Sequence, residues 1–253
     1  MHRFTIAPER LDGDRVTFDR DETRHLARVL RLVPGDVVLA ADGAGREFTV
    51  RVEALGEEAT GTVLATATRA AESPLAVTLL QGVPKGDKME TIVRACTELG
   101  VARVTPVLAE RTIVRLEPSR WRERARRWQR VAREAAKQCG RAVVPDVDVP
   151  GALSDALAAT HGDLGLCLWE GATTPLAAAL DALATPPRTL TVLVGPEGGL
   201  ARAEVDAARA RGFAVVGVGP RILRTETAAP ALLAIVQSRY GDLASRGALT
   251  DRP

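Results

Sequence analysis

A chain of 253 residues with 46% hydrophobic content can bury a substantial core, as one large domain or as an ordinary domain with a small companion. Aromatics make up only 3%, no apolar run approaches a membrane span, and Met1–Arg10 is charged without an apolar signal region, so a cytoplasmic protein with an aliphatic core is expected. Net charge is +2, yet Glu110–Arg141 holds 11 Lys/Arg against 4 Asp/Glu, a basic block that suits a polyanionic partner, while Cys96, Cys139 and Cys167 have neither metal nor redox spacing.

Residues 1–72 read as a separate small β-rich domain. Val37–Ala41 and Glu47–Val52 are predicted strands joined by the turn Asp42-Gly43-Ala44-Gly45. A second turn falls at Gly56–Glu58, and Gly61–Ala67 follows as a strand; short strands at this spacing predict a small barrel. One helix, Asp21–Leu32, is stopped by Pro34-Gly35. Leu26, Val29 and Leu30 form its apolar face, and Arg24, His25, Arg28 and Arg31 occupy much of the rest, as a solvated surface or as a nucleic-acid contact.

Ala70–Pro74 is the expected linker. Beyond it strands and helices alternate. The expected strands are Leu75–Leu80, Val101–Leu108 (broken by Pro106), Leu164–Trp169, Thr191–Val194 and Ala214–Val218. The expected helices are Lys88–Leu99, the basic Pro118–Cys139, Pro175–Leu183, Ala201–Arg211 and Thr227–Tyr240, with Pro230 tolerable only in the first turn of the last. Five strands with intervening helices predict an open α/β sheet, mostly parallel, over residues 73–246. Residues 247–253 are expected to be a flexible tail.

The strand exits carry the unusual chemistry. They are Gly82–Lys88, Glu110-Arg111-Thr112, Glu170-Gly171, Gly195-Pro196-Glu197-Gly198-Gly199 and Gly219–Ala228. Ligands of open α/β sheets sit at the carboxyl ends of the strands, and glycine lets backbone approach them closely. Lys85-Gly86-Asp87-Lys88 lacks the Ser or Thr of a phosphate-binding loop, no G-x-G-x-x-G follows a strand, and His2, His25 and His161 lie apart, so neither a nicotinamide nor a metal site is expected. A glycine-lined pocket with Glu197, Arg224 and Glu226 remains. Glu197 suits a sulfonium or an ammonium group better than a phosphate, and S-adenosylmethionine carries both.

Five segments, G-P-E-G-G-L, V-G-P-R-I-L-R-T-E-T-A, P-K-G-D-K-M-E, C-T-E-L-G-V and E-A-A-K-Q-C-G-R, together resemble the bacterial family that methylates uridine N-3 in small-subunit (16S) ribosomal RNA, within the SPOUT class of knotted methyltransferases. The likeness covers about Leu75–Leu243, and H-L-A-R-V-L-R-L-V-P-G-D resembles that family's PUA-like RNA-binding barrel. One departure is Ala201, where the family often places a capping Ser or Thr. The resemblance implies a C-terminal trefoil knot. It implies S-adenosylmethionine held by Leu168, Trp169, Glu170, Gly195, Pro196, Glu197, Gly198, Gly199, Val218, Gly219, Ile222, Leu223 and Thr225. It also implies a homodimer, for which the apolar closing helix is one candidate surface and core burial an equal alternative. Ribosomal RNA or the assembled small subunit is the implied partner, met by His25, Arg28, Arg31, Lys85, Lys88, Arg111, Lys137 and Arg141. Uridine N-3 must lose its proton before it can accept a methyl group. Arg224 is the candidate anion stabiliser, and Glu226 is either the base or a helix-start carboxylate. A different RNA target, or a non-catalytic ribosome assembly factor, are the competing readings.

Overall fold

The computed structural model describes residues 1–68, 72–160 and 162–244. Ala70 and Ala71 of the expected linker and the expected tail 247–253 lie outside them. The chain forms two compact units, one of Met1–Glu72 with Arg133–Val144, the other of Ser73–Ala132 with the chain from Pro145 on.

In the first unit the strands are β1 (Arg3–Thr5), β2 (Leu11–Asp12), β3 (Arg15–Thr17), β4 (Val37–Ala41), β5 (Arg46–Leu55) and β6 (Ala59–Thr68), with α1 (Arg20–Arg24) between β3 and β4. They form a curled sheet in the order β1-β4-β5-β6-β3-β2, antiparallel except for β1 on β4. The two edge strands do not pair with each other. At the expected hairpin turn, Asp42 Oδ1 accepts from the N–H groups of Ala44 (2.8 Å) and Arg46 (3.1 Å), and Gly43 and Gly45 take positive φ. Alternate residues of β4 and β5 (Val38, Ala40, Phe48, Val50, Val52) point into a core completed by Phe4, Phe18 and Leu26.

The helix expected to run to Leu32 does not. Asp19 caps α1 through the Glu22 N–H, and His25–Val29 then widens to a π-turn closed by Leu30 N–H on the His25 carbonyl. The wider winding rotates Val29 outward to 66% exposure while Leu26 stays fully buried, so the expected apolar face is narrower than its sequence pattern suggests.

The second unit contains β7 (Ala76–Gly82), α2 (Lys88–Glu98), β8 (Val101–Leu108), α3 (Pro118–Cys139, its last residues belonging to the first unit), β9 (Asp146–Val147), β10 (Gly151–Ala152), α4 (Leu153–Ala159), β11 (Leu164–Leu168), β12 (Thr174–Pro175), α5 (Leu176–Asp181), β13 (Thr189–Val194), α6 (Arg202–Ala210), β14 (Phe213–Gly217) and α7 (Thr225–Tyr240). The sheet runs β10-β8-β7-β13-β11-β14-β12, with β9 also on β8, and every pairing is parallel. The five long strands are those expected; β9, β10 and β12 are two residues each, too short to leave a periodic signature.

Pro106 does not break β8. It falls in the interval between the β9 and β10 pairings, where no neighbouring ladder needs its missing donor. Pro230 lies beyond the first turn of α7, because that helix starts two residues earlier than expected; the Glu226 carbonyl therefore has no N–H to receive from residue 230. The apolar length of α7 (Ala229, Leu232, Leu233, Val236) is buried within the unit, against α2.

Candidate active site

Because β13 lies between β7 and β11, and β14 on the far side of β11, the carboxyl ends of four parallel strands stand side by side. Their exits surround a cleft of 570 Å³. Every residue expected at a cofactor site lines it: Leu168–Glu170 after β11, Gly195–Gly199 after β13, then Val218, Gly219, Ile222, Leu223 and Thr225 after β14. Arg224, Glu226 and Lys88 line it too.

Two glycines allow close backbone approach. A Cβ on Gly82 would stand 2.4 Å from the Pro196 nitrogen of the neighbouring exit, and one on Gly195 would stand 2.9 Å from the Gly199 carbonyl carbon of its own loop. Gly198 faces Arg111 rather than the open cleft: its Cβ would lie 3.1 Å from Arg111 Cβ, and Arg111 Nη1 donates to the Gly198 carbonyl at 3.0 Å. Thr225 does structural work instead of presenting a free hydroxyl to a ligand. Its Oγ1 donates to the Gly195 carbonyl (2.8 Å) and accepts from Nε2 of the fully buried Gln81 (2.9 Å), which ties the start of α7 to the ends of β13 and β7.

The charges differ from the expected arrangement in two respects, at Lys88 and at Glu197. Lys88, expected on an RNA face, projects into the cleft, with Nζ 2.9 Å from Glu197 Oε1 and 3.7 Å from Glu226 Oε2. The Lys85 N–H also donates to Glu197, at 3.1 Å. Burial opposes ionisation of Glu197, but the Lys88 ammonium and the Lys85 N–H hold its carboxyl below the ordinary carboxylate range. Glu197 is therefore already countered, and the carboxylate left for a cationic ligand is Glu170, exposed and without an ion pair among the described residues. Glu226 sits in the first turn of α7; its Oε2 is buried and accepts no hydrogen bond. Arg224 occupies the N-cap position of α7 with an exposed side chain.

The profile of the RNA methyltransferase domain matches residues 71–237, and that of the RNA methyltransferase PUA domain matches residues 18–60. The chain belongs to this RNA methyltransferase family. It is similar to the ribosomal RNA small subunit methyltransferase E of Neisseria gonorrhoeae, solved bound to S-adenosylmethionine (35% identity, TM-score 0.86, covering 96% of this chain and 99% of that one). It is also similar to the proteins of that name from Synechocystis sp. (35% identity, 94% of this chain, 77% of the relative) and Bacillus subtilis (31%, 82% and 84%).

Within this methyltransferase, the residues expected to meet RNA divide. Arg28 and Arg31 are exposed and make no ion pair among the described residues. Lys137 and Arg141 are turned inward, a correction to their expected role. Lys137 pairs with Glu22 at 2.6 Å, lies 4.9 Å from the Phe4 ring centre and is 9% exposed at its side chain, with His25 Nδ1 3.2 Å from its ammonium. Arg141 pairs with Glu72 at 2.6 Å and is equally buried. A basic side chain spent on an internal carboxylate has little left for a phosphate. Lys85 and Arg111 remain exposed beside the cleft.

The helix start at Ala201 lacks a side-chain cap, as expected. Glu204 supplies half of the box: its Oε2 accepts from the Ala201 N–H at 2.8 Å, while Oε1 accepts from the Glu110 N–H at 2.8 Å. Cys96 and Cys167 are buried, and burial pushes the Cys167 thiol up to about 12, which leaves it unreactive. No cluster fit for a metal ion occurs among the described residues. Sequence reasoning missed Gln81 and the cleft position of Lys88. Gln81 leaves a faint signal as the one amide in a run of buried apolar residues at the end of β7.

Proposed function

We propose that this chain transfers a methyl group from S-adenosylmethionine to N-3 of a uridine in small-subunit (16S) ribosomal RNA. The observation that carries the reading is the glycine-lined cleft at four parallel strand ends, in a chain 35% identical to a ribosomal RNA methyltransferase solved with S-adenosylmethionine.

The residues present fit that cofactor. The cleft has the size of a small-molecule site, with an apolar wall from Leu168, Leu200, Leu223 and Ala228, backbone groups at its glycines, and the free carboxylate of Glu170 for an ammonium group. When bound, the cofactor supplies an electrophilic methyl group on a sulfonium. The chain's part is to ready the acceptor. We assign the taking of the N-3 proton to the Glu226 carboxylate, which lines the cleft and has Lys88 at 3.7 Å to steady it. Arg224, free of any ion pair among the described residues, presents a fixed positive charge to the uracil anion.

The chain path supports the knotted reading. After β14 the chain comes back past the end of β13 to reach α7, whose first residue is bonded to Gly195 and Gln81. Residues 1–72 serve as the RNA-binding PUA-like domain, with Arg28 and Arg31 as its phosphate contacts. A homodimer fits Ile222, 86% exposed at the cleft, and Ile235, 40% exposed on α7, both apolar surfaces that a second copy would cover.

The test is methyl transfer from labelled S-adenosylmethionine to small-subunit RNA and to whole small subunits, followed by nucleoside analysis. N-3-methyluridine is the expected product. Label on a ribose hydroxyl, or on neither substrate, would overturn the proposal.

A further inference from the structure

Eleven basic residues lie between Glu110 and Arg141, but they are not equivalent once the chain is folded. Trp121, Ala125, Trp128 and Ala132 form the buried stripe of α3 and fix its rotation about its own axis. Two of its arginines are neutralised: Arg120 by Glu123 at 3.0 Å and Arg127 by Glu90 at 2.8 Å. Arg122, Arg126 and Arg130 are exposed and make no ion pair or hydrogen bond among the described residues. They recur every fourth residue, so they stand in one row, each about 6 Å along the axis from the next.

Such a row works against the helix that carries it. Like charges four residues apart repel, and surface helices ordinarily set an acid at that spacing. Glu123, the one acid between them in sequence, is taken by Arg120, and the folded unit draws no bond from these three guanidinium groups. The aromatic residues of α3 are buried, so this face offers bases nothing to stack on. What it offers is a line of fork-shaped cations, which match phosphodiester oxygens bidentately.

We infer that Arg122, Arg126 and Arg130 form a track for the phosphate backbone of the RNA substrate, holding its register without reading its sequence. This rests on the proposed function for the identity of the nucleic acid; the row itself rests on α3. Lys137 and Arg141, in the same basic segment, take no part because they are internally paired.

The experiment measures affinity for small-subunit RNA as a function of salt, using the full chain, the triple variant Arg122→Gln/Arg126→Gln/Arg130→Gln, and a control, Arg120→Gln/Arg127→Gln, that removes two paired arginines. Each phosphate contact contributes about 0.7–0.9 to the slope of log affinity against log salt. The triple variant should flatten that slope by about two to three units and the control by less than one, with S-adenosylmethionine affinity unchanged in both and the triple variant melting no lower than the parent. A triple variant with the parent slope, or a control that flattens as much, overturns the inference. The two proposals fail separately. If the parent yields N-3-methyluridine while the triple variant keeps its slope, the track is wrong and the function stands. If the triple variant flattens the slope while the parent transfers no methyl group, the function is wrong and the track stands.

Discussion

Thr225→Val tests how the cleft is held open. Thr225 is 5% exposed, and its hydroxyl bridges the Gly195 carbonyl and the Gln81 amide. Valine fills nearly the same space, so the change removes two hydrogen bonds without leaving a cavity. The Gly195 carbonyl loses a buried donor. Gln81 Nε2 keeps only its bond to the Gly82 carbonyl, and Gln81 Oε1, already buried without a partner, offers no relief. At about 1–3 kcal/mol for the Gly195 carbonyl left unsatisfied and about 1 kcal/mol for the bond lost by the Gln81 amide, the loss comes to roughly 2–4 kcal/mol. For a domain of this size that lowers Tm by roughly 4–16 °C. S-adenosylmethionine affinity should fall with it, because the same bonds set where α7 begins beside the cleft. Thr225→Ser keeps the hydroxyl and should recover most of both losses. Scanning calorimetry and titration calorimetry on the three proteins decide the matter. A valine variant that melts with the parent, or a serine variant as damaged as the valine one, would refute the reasoning.

Gly82→Ala drives a methyl group into Pro196 and should destabilise the protein by about 1–3 kcal/mol while weakening cofactor binding; unchanged melting and binding would show that the two exits tolerate separation. Glu197 is held below the ordinary carboxylate range, so its pairing stabilises the fold above the unfolded value near 4.5 and loses that effect as pH falls through the lower folded value. Lys88→Met should therefore give a shallower acid limb of stability against pH than the parent, and parallel limbs would contradict the pairing. Arg224→Ala should slow single-turnover methyl transfer by ~100- to 1000-fold with little effect on cofactor affinity, whereas an equal loss in binding would make Arg224 a cofactor ligand. Glu226→Gln should slow transfer with a defect that shrinks as pH rises, since hydroxide then replaces the base; a defect independent of pH would leave Glu226 as a helix-start carboxylate.

The strand ends around the cleft were legible because those of β7, β11, β13 and β14 are each followed closely by glycine or proline, and punctuation is local. That is why Gly195–Gly199 and the run from Gly219 could be placed on one crevice before any pairing was known. The order of the strands was not legible, because an apolar run such as Thr189–Val194 carries no mark of its neighbours. The helix at Asp21–Leu32 was overread because a π-turn differs from an α-turn by one residue in its hydrogen bonding and leaves the apolar spacing nearly intact. Charge was legible only as a sum. The basic character of Glu110–Arg141 shows in the composition, but apart from Arg120 on the nearby Glu123, which of its members are neutralised depends on Glu22, Glu72 and Glu90, all distant in sequence. The same holds at the cleft. Glu197 could be foreseen as a lining residue, while its pairing with Lys88, 109 positions earlier, could not.

The placement of the methyl donor is tested most directly by hydrogen exchange of the backbone amides with and without S-adenosylmethionine. Slower exchange on cofactor binding is predicted at Leu168–Glu170, Gly195–Leu200 and Gly217–Glu226, the three segments that supply most of the cleft's lining, with little change in β4 and β5 of the first unit. Protection absent from these segments and concentrated elsewhere, with binding confirmed by calorimetry, would contradict the assignment of the cleft.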